Sequence, residues 1–307
     1  GYIMDILQKL TDEFSLKPWQ VENTVKLIDD GNTIPFIARY RKEATGSLND
    51  EQLRTLDERL TYLRGLEDRK EKVIASIEEQ GMLTDELKKS ILAAETLVAV
   101  EDLYRPYKPK RKTRATIAQS KGLTGLANII SLQMTNKPIL EEALAYVSEE
   151  KEVHSAEEAI AGAMDIIAES ISDNAEYRTE IRNLTMDKGI LMTTAKDPEA
   201  ESVYEMYYDF STPVRKMTGY RTLAINRGEK EKFLSVKIEA PIDEITGYLI
   251  RQVIVRDNPN TNDILRNTIT DSYERLIAPS IERDIRSSLT EAAEDGAIKV
   301  FGSNLKQ

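Results

Sequence analysis

The side chains that can do chemistry gather where the acids are missing. Between Leu103 and Leu140 there is no Asp or Glu, while Arg105, Lys108, Lys110, Arg111, Lys112, Arg114, Lys121 and Lys137 stand in the same window. The whole chain, 307 residues long, carries a formal charge of -11. Charges farther apart than a Debye length of roughly 8 Å are largely screened at physiological salt, so a local cationic field attracts phosphate even on an acidic molecule. Pro106 and Pro109 keep the segment from becoming an ordinary helix, and Tyr104 and Tyr107 offer flat faces that either pack inward or stack on a base. Together these residues predict sequence-tolerant contact with nucleic acid, RNA or DNA. The competing reading is a solvated loop, or one that neutralises the protein's own acidic surface; Glu141, Glu142, Glu149, Glu150, Glu152, Glu157 and Glu158 supply the carboxylates.

Catalytic chemistry is not expected. The chain has no cysteine and one histidine, His154, which rules out disulfides, cysteine zinc sites and thiol nucleophiles. His154 stands immediately before a helix start, where a surface or capping role is expected. No phosphate-binding loop, zinc spacing or GxGxxG is present, and the abundant carboxylates read as solvated helix faces. Asp257 to Asp263 contains several oxygen ligands without the glycine and terminal glutamate of a calcium loop, so it reads as a turn. No metal and no cofactor is predicted. No apolar run approaches the roughly 20 residues of a membrane helix, and a cytoplasmic protein is expected.

The elements that must position the cations are mostly helical. Leu7, Leu10 and Phe14 have helical spacing, Pro18 suits a first turn, and Gly31 suits a C-terminal cap. Thr33 can cap IPFIARYRKEATG, with Ile34, Phe36, Ile37 and Tyr40 inward and Arg39, Arg41 and Lys42 toward solvent. Three short helices with a glycine turn before the basic third resemble a helix-turn-helix, and these three cations form a second candidate nucleic-acid contact. Asn49 with Gln52 fits a capping box, and Leu53, Leu56, Leu60, Leu63 and Leu66 mark a helix running to about Gln80. A second capping box, Ser155 with Glu158, opens another helix. Leu234, Val236 and Ile238 alternate with polar residues and predict a strand. Its partner is placed at Thr222 to Asn226, a run that fits a helix equally well. The fold class is mainly α, with at most a small antiparallel element. Three regions are expected: 1–48, helix-turn-helix-like; 49–202, a helical scaffold carrying the basic loop 103–121; and 203–307, mixed and mostly helical.

Several blocks taken together resemble one family. GNTIPFIARYRKEATGSLND, VEDLYRPYKPKRKTRATIAQSKGL, YRTLAINRGEKE and VFGSNLKQ are similar to the bacterial Tex family, transcription accessory proteins related to a eukaryotic elongation factor. The resemblance implies the helical N-terminal half of a protein whose complete form adds an RNase H-like domain, helix-hairpin-helix domains and an OB-fold RNA-binding domain. It also implies nucleic-acid binding in the full-length protein. Ile298, Val300, Phe301 and Leu305, apolar and uncapped, are accordingly expected to meet downstream sequence. The alternative function is a helical scaffold for transcription machinery with no nucleic-acid contact of its own.

Overall fold

The computed structural model describes residues 5–109 and 111–306, with side chains described through Ala297. It is 69% helical with a small three-stranded antiparallel sheet, as the sequence predicts. The chain divides into two compact units. The first comprises Gly1–Pro109, Thr218–Asn226 and Ser287–Gln307, and the second Lys110–Met217 and Arg227–Arg286.

The first unit opens with α1 (Ile6–Phe14), α2 (Pro18–Asp29), α3 (Ile34–Tyr40) and α4 (Lys42–Thr45). Helices α1, α2 and α3 pack on the 30-residue α5 (Asp50–Glu79), α4 packs on α2 and α3, and α6 (Asp85–Ala93) and α7 (Leu97–Tyr104) follow. The predicted capping box closes α5: Asn49 Oδ1 accepts from the Gln52 amide at 2.8 Å, and Gln52 Oε1 accepts from the Asn49 amide at 3.0 Å. Its leucine stripe is fully buried from Leu53 to Leu66 and continues through Val73 and Ile77, against Leu10, Phe14, Val21, Ile37, Ile91 and Val100. Burying each such side chain is worth about 2 kcal/mol, which is why this stripe, rather than helix propensity, holds α5 in place. Lys70 is also buried. Its Nζ donates to the Leu92 carbonyl at 2.8 Å and lies 3.1 Å from Glu67. Two details depart from expectation. The backbone breaks at Arg41 (φ -131), separating α3 from α4. Tyr40, expected inward, is 54% exposed, because α3 ends there and its ring leaves the buried stripe to pack along the surface on Phe36.

The second unit holds α8 (Arg114–Ser120), α9 (Thr124–Leu132), α10 (Ile139–Leu144), α11 (Ala156–Asp173) and α12 (Ala175–Lys188). Helix α8 falls inside the run 103–121 that the sequence reads as a loop. Thr113 makes it possible: its Oγ1 accepts from the Thr116 amide at 3.1 Å, and its own amide donates to Thr116 Oγ1 at 2.8 Å. Ser155 caps α11, accepting from the Glu158 amide at 3.1 Å, but the Glu158 carboxylate reaches back to the His154 amide rather than to that of Ser155. Strands β1 (Ile190–Ala195), β2 (Asp209–Pro213) and, after α13 (Gly219–Lys230), β3 (Leu234–Glu239) pair antiparallel in the order β2-β1-β3. Leu191 faces Ile238 and Thr193 faces Val236 across the β1–β3 ladder. The partner of β3 is thus β1, and Thr222 to Asn226 lies within α13. There Thr222 Oγ1 donates to the Thr218 carbonyl at 2.9 Å, a bond natural to a helix.

Beyond the sheet run α14 (Ile242–Val253), α15 (Asn262–Asp271) and α16 (Ala278–Lys306), the last two joined through a π turn at Ser272–Ile277. Pro279 lacks an amide hydrogen, and the widened turn before it takes up the missing bond without ending the helix. Helices α13 and α16 each contribute residues to both units. The apolar contacts predicted for Ile298, Val300, Phe301 and Leu305 fall outside the described side chains.

Candidate nucleic-acid interface

Within the first unit, Arg105 and Lys108 follow α7, where Arg105–Tyr107 forms one 3-10 turn entered through Pro106. Both side chains are exposed. Arg105 lies 3.8 Å from Asp102 across an exposed i,i+3 pair, an arrangement worth little. Lys108 has no carboxylate within ion-pair distance among the described residues. Tyr104 goes inward: it is buried, its hydroxyl is 2.9 Å from Ser76 Oγ, and the Arg69 guanidinium covers its ring at 5.3 Å. Tyr107 packs on the same core, and its carbonyl accepts from Gln80 Nε2 at 2.7 Å. The two tyrosines therefore anchor the segment to the C-terminal end of α5, and Tyr104 is not open for stacking.

Arg39, Arg41 and Lys42 are exposed and likewise lack a carboxylate partner among the described residues. Lys42 opens α4, close to the cap of α5 at Asn49, whereas the Arg105 turn is bonded to Gln80 at the far end. A helix of 30 residues is about 45 Å long, so the structure does not join these two groups into one patch.

In the second unit, Arg111 and Lys112 are exposed at the entry to α8 and have no carboxylate partner among the described residues. Lys110 lies outside the described residues. Arg114 and Lys121 face acids. Arg114 lines a cleft with Asp165, Glu169, Asp173 and Arg275. Burial pushes the Asp165 carboxyl above its ordinary range, against the pull of Arg275 at 3.7 Å and of Arg114. Thr113 Oγ1 donates to Glu169 Oε2 at 2.8 Å. Lys121 Nζ donates to the Glu152 carbonyl at 3.3 Å, and Lys112, Lys121 and Lys151 share a second cleft with Glu150 and Glu152. Helix α8 approaches α11 at Gly162, where a Cβ would lie 3.3 Å from Ala118 Cβ of α8 and 2.3 Å from Leu123 Cδ1, just ahead of α9. A window free of acids in sequence is thus not free of them in space. Thr113 and Glu169 are 56 residues apart, beyond the reach of any local charge count.

His154 is exposed, with Nδ1 3.2 Å from Glu149 Oε2, and serves the surface and capping role expected of it. No group of three or more His, Asp or Glu side chains suited to a metal ion occurs among the described residues, and no helix there is long and apolar enough to cross a membrane.

Comparison with known proteins gives the family. Residues 4–78 match the Tex-like protein N-terminal domain, and residues 134–301 match the Tex central region. Arg105 to Lys121 lies between the two matches, so the match itself assigns these cations no role, while Lys137 falls inside the second match. The chain is 48% identical to the protein YdcI of Bacillus subtilis (strain 168), over 98% of this chain and 42% of that one. It is 40% identical to the transcriptional accessory protein Tex of Neisseria gonorrhoeae, over 99% of this chain and 41% of that one. It is also 31% identical to the human S1 RNA-binding domain-containing protein 1, over 99% of this chain and 32% of that one. The chain therefore spans less than half the length of each of these relatives. On the family match and on identity sustained along nearly all of its length, it belongs to the Tex family of transcription accessory proteins.

Proposed function

We propose that this chain gives a Tex-type protein a sequence-tolerant phosphate-binding surface, used on RNA or DNA, and that it does so without catalysis. The observation that carries the reading is the state of Lys108, Arg111 and Lys112: exposed, close in sequence, and without carboxylate partners among the described residues. Cations that pair with nothing in their own protein are available to phosphates. Arg105 joins them at the cost of one weak exposed pair, and Lys110 is assigned to the same run. Arg114 and Lys121 contribute more weakly, because Asp165 and the Glu152 carbonyl already engage them. The name of the human relative, which specifies RNA binding, supports the same class of partner. With this reading go a cytoplasmic location, contact with transcription machinery, and the helix-turn-helix-like character of residues 1–48 as a second contact.

A helical scaffold is the competing function, and the acidic wall around Arg114 favours it for α8. Affinity against salt decides. For duplex DNA the logarithm of affinity falls with the logarithm of salt by about 0.9 per phosphate contacted, so four contacts give a slope of roughly 4. Reversing Lys110, Arg111, Lys112 and Arg114 to Glu is expected to abolish duplex binding and leave helical content unchanged. Binding that survives this reversal while the fold weakens would give the segment to the scaffold reading.

A further inference from the structure

Helix α3 carries a feature that phosphate binding leaves unused. The Phe36 and Tyr40 rings lie 5.2 Å apart, inclined at 47°. The Arg41 guanidinium sits 5.2 Å from the Phe36 centroid, and that of Arg39 sits 5.4 Å from the Tyr40 centroid. The four side chains form a ladder, Arg41, Phe36, Tyr40, Arg39, with a cation at each end. It stands on a fixed base: Ile37, on the adjoining side of the helix, is fully buried, and Thr33 Oγ1 caps the helix by accepting from the Phe36 amide at 3.3 Å. Arg41 Nη1 is pinned to the Tyr40 carbonyl at 3.0 Å. From Gly31 to Leu48 the single carboxylate is Glu43.

We propose that this ladder is a stacking platform for the unpaired bases of a single-stranded nucleic acid. The inference rests on the nucleic-acid reading above but concerns a different surface. Aromatic rings and guanidinium planes take bases face to face, which only an unpaired strand presents, while Arg39, Arg41 and Lys42 can neutralise the flanking phosphates. A protein partner would call for apolar area at the centre of the patch. Here Ile37 is buried and Ile34 and Ala38 are half-buried, so that apart from Pro35 the exposed residues of α3 are Arg39 and Tyr40, one cationic and one aromatic.

The test uses fluorescence anisotropy of the whole chain with labelled oligouridine and, separately, with a labelled DNA duplex. Loss of one stacked base corresponds to about 1–3 kcal/mol, so Tyr40→Ala is expected to weaken oligouridine binding about 5- to 150-fold and to leave duplex binding within about twofold. Tyr40→Phe, which keeps the ring, retains wild-type affinity for oligouridine. The charge reversal at Lys110 to Arg114 abolishes duplex binding independently of either change. Oligouridine affinity unchanged in Tyr40→Ala, or no oligouridine binding by the wild-type chain, overturns the platform. The loop reading then stands or falls on the duplex result alone. Equal losses for oligouridine and duplex in Tyr40→Ala also overturn it, since a duplex offers no face to stack.

Discussion

Two sets of cations in this molecule have different sequence surroundings and opposite fates. Arg59, Arg64 and Arg69 on α5 stand among carboxylates, and each forms a two-bond fork with a single acid: Glu13, Asp29 and Glu101 respectively. These partners lie 46, 35 and 32 residues away. Lys108, Arg111 and Lys112 stand in the acid-free run and have no carboxylate partner among the described residues. The partners used on α5 are supplied by tertiary contact, not by the acids that neighbour these arginines in sequence. A cation on a helix that is packed from several sides meets the carboxylates of its neighbours, whereas Lys108 is exposed after the proline turn and Lys112 lines a cleft in which Glu150 and Glu152 stay beyond ion-pair distance. Arginine on α5 therefore holds the fold, and the basic run is the part to which phosphate binding is proposed.

Breaking the α5 side of this contrast is expected to give the largest effect. The Arg59 and Glu13 side chains are 14% and 19% exposed, so truncating Arg59 leaves a largely desolvated carboxylate without its fork and with only Lys9, at 3.6 Å, as a cation. Arg59→Ala is expected to lower the stability of the α5 unit by about 3 kcal/mol, read as a shift in the urea midpoint at unchanged slope. Arg64→Ala removes a pair with side chains 47% and 46% exposed and should cost less than about 1 kcal/mol. Equal losses in the two variants would show that burial does not rank these forks.

A second effect comes from Glu294 on α16, whose Oε2 is buried with no hydrogen-bond partner among the described residues. Burial pushes its carboxyl up to about 7; Arg59 pulls it down, and Glu58 and Glu291 push it further up. Nearby, the Tyr62 hydroxyl donates to Glu291 Oε1 at 3.2 Å and accepts from the Leu97 amide at 2.9 Å. A group whose folded pKa is raised contributes stability that is complete below its unfolded value and lost as pH rises through the folded one. Here the window runs from the ordinary glutamate range to about 7. Glu294→Gln holds the neutral form, so its stability relative to wild type should grow as pH rises from acid to neutral, reaching about 2 kcal/mol once solvent screening is allowed for. A difference independent of pH would mean that Glu294 is already ionised throughout the window.

How much of this was legible in the sequence follows the same division between local and distant causes. The α5 helix was readable to its ends, because a capping box and a leucine stripe are local signals. So was β3, where Leu234, Val236 and Ile238 alternate with polar residues. Its partner β1 was missed because Thr193, a polar residue, occupies a buried inward position and donates to the Tyr207 carbonyl at 2.6 Å, which erases the alternation. Helix α8 was missed because flanking prolines and a dense charge run read as loop, while the Thr113 cap that starts it lacks the usual glutamate. The candidate cations could be named from composition, but their state could not. Asp165, Glu169 and Glu152, which separate Arg114 and Lys121 from the free cations, lie far along the chain. The ladder on α3 had a visible trace, two aromatics four apart with basic neighbours, yet the same spacing reads as a buried stripe until Tyr40 is seen to be exposed.

The smallest expected effect bears most directly on the comparison. If Lys108, Arg111 and Lys112 pair with nothing, replacing all three by Gln should change stability by no more than about 0.5 kcal/mol, the usual range for surface positions without a structural role. The substitution makes an already acidic chain three charges more negative, so any residual change should be a slight loss, present at low salt and gone at high salt as self-repulsion is screened. The Arg59→Ala loss, set by desolvation, should persist at both. Salt thus separates the two classes without reference to any ligand. A loss of more than about 1 kcal/mol in the triple variant, unaffected by salt, would mean that these cations hold the fold as the α5 arginines do. In that case duplex affinity should fall only in proportion to unfolding, whereas free cations should lose affinity with the protein fully folded and with the salt slope reduced by roughly 1 for each phosphate contact removed.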